Sequence, residues 1–295
     1  MKFKVMRGRM LLARNSASGM SPSENVEVRV FTCNASGETR VGRRAGVSET
    51  DVVQSEGVLD IRIGGVATSA LNCSFDHLAE LAVGHLLTEG FIDSYADIQS
   101  VAIDVLDESK AVADVSLTQG RGALDRSRNA FRYITSSNAR LSKKPDCADR
   151  PFEAVRWTAS QVFSLAREFA EDKTSHAKTR GCHSAYLANG ETILCIREDI
   201  GRHNAFDKAV GWALINGVDL SKCMLYTSGR VPSDMVSKAI RARVPVLISK
   251  SVTTNKAVEL ARHGGVVLLC EALPESFELI CGSDPQPEIA VAQAT

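Results

Sequence analysis

The C-terminal half of the chain alternates short strand patterns with helix patterns, and this alternation constrains the fold more than any other feature. Short apolar runs predict the strands, and the segments between them carry helical periodicity with capping signals. The predicted order is helix 158–171, hairpin 184–187 and 192–196, helix 204–215, strand 223–227, helix 233–243, strand 245–249, helix 254–263, strand 266–270 and strand 277–281. We therefore predict an α/β domain whose mixed, mostly parallel sheet carries helices on both faces.

The N-terminal half predicts a smaller α+β domain. Runs at 26–31, 57–66, 101–105 and 111–117 indicate strands, and a helix signal begins at Ser74 and ends near Gly90. Residues 120–150 are rich in Arg, Lys, Ser and Asn, with little apolar periodicity. The predicted organisation is a disordered tail at 1–24, an N-terminal domain at 25–119, a basic linker at 120–150, a C-terminal domain at 151–282 and a disordered tail at 283–295.

Composition excludes several classes of function. Lys plus Arg and Asp plus Glu both number 35, and aromatic residues make up 5% of the chain, so we expect no nucleic-acid partner. No apolar run approaches the roughly 20 residues that span a bilayer, so we expect a cytoplasmic protein without a membrane partner. The eight cysteines form no C-x-x-C pair, so we expect reduced thiols and no zinc.

The most informative motif is the eleven-residue segment EDIGRHNAFDK, from Glu198 to Lys208. It brings acids and bases together where a predicted helix begins and its first backbone N–H groups are free. That pattern is typical of a site for a polar, phosphorylated ligand. A charged helix entry that only caps and pairs with itself is the alternative.

Two more polar loops follow predicted strands and should meet this helix entry at one sheet edge. One is Ser228-Gly229-Arg230, and the other runs from Ser249 to Thr254. Together they predict an anion-binding rim at the carboxyl ends of the strands. Its predicted contact residues are Gly201, Arg202, Ser228, Gly229, Arg230, Lys250, Ser251 and Thr253.

These motifs resemble those of the FdhD/NarQ family of formate dehydrogenase accessory proteins. EDIGRHNAFDK matches the most specific family signature, TRGCHSA at 179–185 resembles its T-G-G-x-H-x-A segment, and 228–234 resembles its S-G-R-x-S-x-E. The helix signal at 74–92 and VPVLISKSVTTNKAVELA at 244–261 also match. The resemblance covers about residues 25–282.

The resemblance implies a fold similar to cytidine deaminases and a cytoplasmic homodimer. It also implies a carrier that takes sulfur from a cysteine desulfurase and delivers it to the molybdenum or tungsten bis(molybdopterin guanine dinucleotide) cofactor, with formate dehydrogenase as the client. A guanine nucleotide is then an expected ligand. By carry-over, cofactor contacts would also come from Gly181, Glu198, Asp199, His203, Lys208, Cys270, Glu271, Ala272, Leu273, Pro274 and Glu275.

The chain departs from the family at the sulfur-accepting loop. Residues 133–142 contain no cysteine, and Asn138 stands at the expected position. A persulfide carrier needs a thiol, so Cys147 in the same basic loop and Cys182 beside His183 are the candidate replacements. We place His183 in the cleft as a ligand or hydrogen-bond donor.

Two functions stay open, and a third is rejected. The chain either takes part in sulfur transfer or is a cofactor-binding chaperone or regulator that has lost the sulfur step. A deaminase needs H-x-E followed by P-C-x-x-C, and the sequence contains neither.

Overall fold

The computed structural model describes residues 53–118, 152, 156–171 and 179–287 with their side chains. It also describes the backbone of short strands at 2–6, 23–27, 31–33, 39–41, 50–52 and 132–134. These residues form two six-stranded sheets, with helices between and around them, and two separate pairs of short strands.

The N-terminal sheet has the strand order β1-β8-β9-β6-β7-β10. The strands of this half are β1 Lys2–Met6, β2 Ser23–Glu27, β3 Phe31–Cys33, β4 Thr39–Val41, β5 Thr50–Gln54, β6 Gly57–Ile63, β7 Val66–Cys73, β8 Ile98–Val105, β9 Lys110–Leu117 and β10 Arg132–Ile134. The predicted strand at 57–66 is in fact a hairpin arm and its turn, because Gly64 and Gly65 take positive φ and reverse the chain into β7.

Helix α1, Leu78–Thr88, covers one face of this sheet. Leu81, Ala82 and Leu86 of the helix are fully buried against strand residues such as Leu59 and Ile61. The predicted helix at 74–90 therefore forms, although it begins later, after His77 in a left-handed conformation.

The C-terminal sheet has the order β12-β11-β13-β14-β15-β16. Its strands are β11 His183–Asn189, β12 Thr192–Asp199, β13 Met224–Thr227, β14 Val246–Ser249, β15 Val267–Leu273 and β16 Ser276–Cys281. Only β13–β14 and β14–β15 pair in parallel, while the other neighbours are antiparallel. The sheet is thus mixed, and the expectation of mostly parallel pairing holds only for its three central strands, which are joined by helical crossovers.

Helices cover both faces of the C-terminal sheet. They are α2 Ala159–Ala170, α3 Arg202–Ile215, α4 Ser233–Ala242 and α5 Asn255–Gly264. Helix α2 packs on one face through Val162, Leu165 and Phe169, and α3, α4 and α5 contribute to the core on the other face. That second core continues without a break into the core around α1, so the two sheets share one apolar interior.

Helices α1 and α3 cross with their backbones in contact. A Cβ atom added at Gly84 would lie 1.8 Å from the carbonyl oxygen of Asp207, and one added at Gly211 would lie 1.8 Å from that of Glu80. No other residue type fits at either position without moving a helix. The two glycines therefore fix how closely the N-terminal and C-terminal halves approach.

Three predicted boundaries need correction. Lys2–Met6 pairs with β8 and so belongs to the N-terminal sheet, as its alternation of charged and apolar residues allows. β10 lies inside the predicted linker and pairs with β7. The predicted tail at 283–295 begins later, because Trp157 donates a hydrogen bond to the Ser283 carbonyl and accepts one from the Gln286 N–H. Residues 288–295 lie outside the described part of the chain.

Candidate anion-binding site

The loops after β13 and β14 meet each other and the last residues of β15 at the carboxyl edge of these strands. The Lys250 N–H donates to the Thr227 carbonyl at 3.0 Å, and the Ser249 hydroxyl donates to the Gly229 carbonyl at 2.8 Å. The Glu271 N–H donates to the Ser251 carbonyl at 3.0 Å. The two loops are therefore tied to each other and to β15 at the edge where ligands of such sheets bind.

The start of β11 and the start of α3 reach the same edge. The His183 ring nitrogen Nδ1 lies 3.3 Å from the Ser228 hydroxyl, which also accepts the Ser184 N–H at 3.0 Å. A Cβ atom on Gly229 would lie 2.9 Å from Arg202 Cβ and 3.3 Å from His183 Nδ1. The structure thus brings these predicted site residues together, and the glycine leaves room for Arg202 to lie against the loop.

Arg202 carries a positive charge that none of the described residues neutralises by direct contact. Its Nε atom is buried and has no hydrogen-bond partner among the described residues. Burial lowers the pKa of Arg202, and repulsion from Arg230 acts in the same direction, against the opposing field of Asp234. Two arginines therefore share one region of positive potential with one carboxylate nearby.

The first turn of α3 adds partial positive charge to this region. The helix has 14 residues, and its N-cap is Gly201, which supplies no capping side chain. No acid occupies the first turn. The N–H end of the helix dipole, which lies at Arg202, thus lacks the capping side chain that usually satisfies it.

Asp199 and Lys208, by contrast, lie in the interior. The Lys208 ammonium is 2.8 Å from Asp199 Oδ2, pairs with Asp76, and donates to the carbonyls of Ser74 and Glu198. Lys208 and Asp199 are both fully buried. They are saturated by protein partners, so the prediction that they contact a cofactor directly is corrected: they hold the α3 entry in place from beneath.

A second buried ion network lies one residue earlier on α3, at Asp207. Lys238 Nζ is 2.8 Å from Asp207 Oδ2 and 2.9 Å from Glu89 Oε1, and it donates to the Thr88 hydroxyl at 2.9 Å. His85 Nδ1 lies 3.5 Å from Asp207 Oδ2. This network joins α1, α3 and α4, and sequence reasoning missed it. Its signal was a lysine on the face of α4 that Met235, Ala239 and Ala242 bury.

His203 is buried beside the site. Its Nε2 lies 3.0 Å from Asp234 Oδ2, and the side chain is 5% exposed. Asp234, at the start of α4, is also in the field of Arg202. His203 therefore supports the arginine region through Asp234 and does not form its surface.

The remaining predicted rim residues lie away from the arginine pair or bond to other parts of the chain. Lys250 is exposed, but its Nζ lies 5.2 Å from the Phe169 ring centroid on the α2 side of the sheet, so its side chain leans away from the arginine pair. The Thr253 hydroxyl donates a hydrogen bond to the Val231 carbonyl at 2.8 Å.

In the last predicted segment, Cys270 and Ala272 are buried in the core, which corrects their predicted contact with a ligand. Glu271, Leu273 and Glu275 are exposed, and Pro274 is half-buried.

Comparison with known proteins identifies the family. The model of the FdhD/NarQ family matches residues 54–284, most of the chain. The chain belongs to the FdhD/NarQ family. Among curated proteins it is similar to the sulfur carrier protein FdhD of Staphylococcus haemolyticus, with 32% identity over 239 residues that cover 79% of this chain and 89% of the relative. It is 31% identical to the FdhD of Mycolicibacterium paratuberculosis over 265 residues, covering 82% and 94% of the two chains.

A solved structure supports the fold. The chain is similar to the crystal structure assigned as a formate dehydrogenase accessory protein from Desulfotalea psychrophila, with a TM-score of 0.66 and 21% identity. The similarity covers 88% of this chain and 96% of that one. The FdhD-like architecture of two sheets is thus shown, while the likeness to cytidine deaminases stays a prediction.

The thiols that the structure describes are poor nucleophiles. Burial, with repulsion from Glu198 next, raises the pKa of Cys182 to about 12, and the Cys182 thiol lies 3.7 Å from Glu198 Oε1. Burial likewise raises the pKa of Cys195 and Cys270 to about 12 and that of Cys223 to about 11. Because the thiolate is the reactive form, Cys182 is a weak acceptor in this conformation. Cys147 and Asn138 lie outside the described residues.

In the described part of the chain, no helix has the length and apolar character needed to span a membrane. No group of three or more His, Cys, Asp or Glu side chains there is arranged to hold a metal ion.

Proposed function

We propose that this chain is an accessory protein of formate dehydrogenase maturation that binds the phosphates of the bis(molybdopterin guanine dinucleotide) cofactor at the Arg202–Arg230 region. The observation that carries the proposal is the half-buried Arg202 at the start of α3, whose Nε atom has no hydrogen-bond partner among the described residues. Membership of the FdhD/NarQ family supports it. The expected cellular setting is the cytoplasm, with a homodimer, a cysteine desulfurase as sulfur donor and formate dehydrogenase as client.

The residues present fit such a ligand. A diphosphate brings hydrogen-bond acceptors and negative charge, which the buried Arg202 Nε lacks and the α3 N–H groups favour. Gly229 gives the close approach that a phosphate needs, since a side chain there would clash with Arg202. When bound, the cofactor would supply the metal that receives sulfur.

The chain's own residues would bind and orient this ligand. Arg202 and Arg230 would take the phosphates, and the Ser228 hydroxyl would hold the His183 ring at the rim. Asp234 and His203 would keep Arg202 in position, and the Lys208–Asp199 pair would fix the turn before α3. Glu198, half-buried and next to Cys182, is placed to accept a thiol proton.

A second function is favoured by the thiols. Residues 133–142 contain no cysteine, and burial raises the pKa of Cys182 and Cys195. A chaperone or regulator that binds the cofactor and leaves sulfur transfer to another protein is consistent with both observations. The two functions differ only in whether this chain accepts sulfur.

Nucleotide binding tests the site. Isothermal titration with GDP should show binding to the wild-type protein and a loss of about 10-fold or more in Arg230→Ala, as expected for one charge-assisted contact. Lys222→Ala is the control, since Lys222 is exposed and pairs with Asp219, outside the proposed site. Undetectable binding, or equal binding by wild type and Arg230→Ala, would refute the site.

Intact-mass analysis separates the two functions. After incubation with a cysteine desulfurase and cysteine, a sulfur carrier gains one sulfur atom per chain. If the gain disappears in Cys147→Ser, that residue is the acceptor, and if it disappears in Cys182→Ser, the acceptor lies at the site. No gain in the wild-type protein supports the chaperone.

A further inference from the structure

Four non-glycine residues of the described chain have positive φ. Two lie at helix ends: His77 precedes α1, and Arg243 follows α4. The other two, Arg180 with φ of 55° and Glu271 with φ of 45°, lie at the sheet edge that carries the arginine region. Positive φ is costly for a residue with a Cβ atom and free for glycine, so an arginine at position 180 needs an explanation.

The contacts of Arg180 within the described chain do not provide one. The residue is exposed, and its guanidinium makes no hydrogen bond or ion pair with a described residue. The turn itself is held by its neighbours, because the Gly181 N–H donates to the Thr179 hydroxyl at 3.1 Å. Among the described residues the side chain therefore has no partner for its positive charge, and the backbone that carries it would be relaxed with glycine.

The position of Arg180 links this charge to the site. Three residues of chain, at most about 10 Å when extended, separate it from His183. His183 lies 3.3 Å from the Ser228 hydroxyl and beside Gly229, against which Arg202 packs. β11 begins at His183 and pairs with β13, so the chain just before β11 borders the carboxyl end of β13. Arg180 thus stands at the mouth of the region that Arg202 and Arg230 make positive.

We propose that Arg180 is a specificity-determining residue that contacts the outer phosphate of a nucleoside diphosphate group held by Arg202 and Arg230. This inference rests on the proposed function and deepens it. Arg202 is half-buried at the start of α3 and suits the inner phosphate, whereas Arg180 is exposed and suits the outer one. A planar guanidinium binds a terminal phosphate through two parallel bonds, which lysine cannot do. Arg180 then favours diphosphates over monophosphates.

The test compares GDP with GMP and combines binding with stability. Arg180→Gly should bind GDP about 10-fold more weakly and GMP nearly as well as wild type, while its Tm rises by about 2–4 °C because the turn is relaxed. Arg180→Ala should lose the same GDP affinity without the gain in Tm, since alanine keeps the Cβ atom. Arg180→Lys should recover part of the loss.

Arg243→Ala is the matched control. Arg243 is also an arginine at positive φ, but its guanidinium lies over the Phe152 ring, so its loss should leave both affinities unchanged. GDP affinity unchanged in Arg180→Gly would overturn the inference. An equal loss for GMP and GDP would also overturn it, because the contact would not be with the outer phosphate. If Arg230→Ala weakens GDP binding while Arg180→Gly does not, only this inference fails. If wild type does not bind GDP, the proposed site fails as well.

Discussion

Replacing Lys238 by methionine should lower the free energy of unfolding more than a surface substitution does, and the structure indicates by how much. Lys238 is 1% exposed and lies within 3 Å of two carboxylates, at 2.8 Å from Asp207 and 2.9 Å from Glu89, which are 0% and 1% exposed. At an effective dielectric constant of about 20, a pair of unit charges 2.8 Å apart attracts by about 6 kcal/mol, most of which offsets the cost of burying the charges.

Removing the lysine leaves both carboxylates buried without their positively charged partner. Loss of one partner of a buried ion pair costs about 3–5 kcal/mol, a large part of the roughly 5–15 kcal/mol that keeps a domain folded. We expect Lys238→Met to lower Tm by about 10 °C. Lys222→Met is the control, because its ion pair with Asp219 is largely exposed and its Tm should stay within about 2 °C of wild type.

The pH dependence gives the sharper test. Burial alone would raise the pKa of Asp207, but Lys238 and His85 outweigh it, so the folded pKa is lowered. In wild type, the stability that the lowered pKa of Asp207 contributes is fully present above the unfolded pKa of about 3.9. It is lost as pH falls through the folded pKa. In Lys238→Met the pKa of Asp207 should instead be raised, so the variant gains stability as pH falls from 7 to 5. Urea unfolding at both pH values measures the difference. A small loss of unfolding free energy in Lys238→Met at pH 7, or a difference from wild type that is larger at pH 5 than at pH 7, would refute the reasoning.

Three further outcomes are expected. Gly211→Ala should lower the free energy of unfolding by at least about 1–3 kcal/mol, since its Cβ atom would overlap the Glu80 carbonyl. Urea unfolding measures this loss. Gly217→Ala is the comparison, because Gly217 has positive φ but open space around it, so only backbone strain should destabilise that variant. Cys195 should react with a thiol reagent at pH 8 much more slowly in the native protein than in urea, because burial raises its pKa to about 12; equal rates would contradict its burial. GDP binding should weaken as salt rises, because Arg230 is exposed and screened; affinity that is independent of salt would argue against the arginine site.

Local signals predicted the strands and helices of the C-terminal half well. The strand expected at 245–249 is β14, Val246–Ser249, and the helix expected at 254–263 is α5, Asn255–Gly264, capped by the Thr254 hydroxyl. Capping residues, glycines and apolar runs act within a few neighbours, so they can be interpreted without the fold. The likeness to the FdhD/NarQ family was also identified from short motifs alone.

The roles of the charged residues could not be predicted in the same way. The sequence gives no sign that Lys208 pairs with Asp76, 132 positions away, or that Asp207 meets Lys238. Elements distant in sequence decide whether a charged residue is buried. The segment from Glu198 to Lys208 therefore contains both charged residues of the site and charged residues of the interior. Arg202 faces the sheet edge, whereas Asp207 and Lys208, only a few positions later, lie in the interior.

This division has a consequence for mutational screens. If the proposed function is right, selection for active formate dehydrogenase would reject substitutions at Lys208, Asp207 and Gly211 as well as substitutions at Arg202, because misassembly and failed recognition both end in lost activity. The set of intolerant positions would therefore be larger than the set that contacts the proposed ligand. Measuring soluble protein abundance alongside activity would separate the side chains proposed to contact the ligand from those that hold the two halves together.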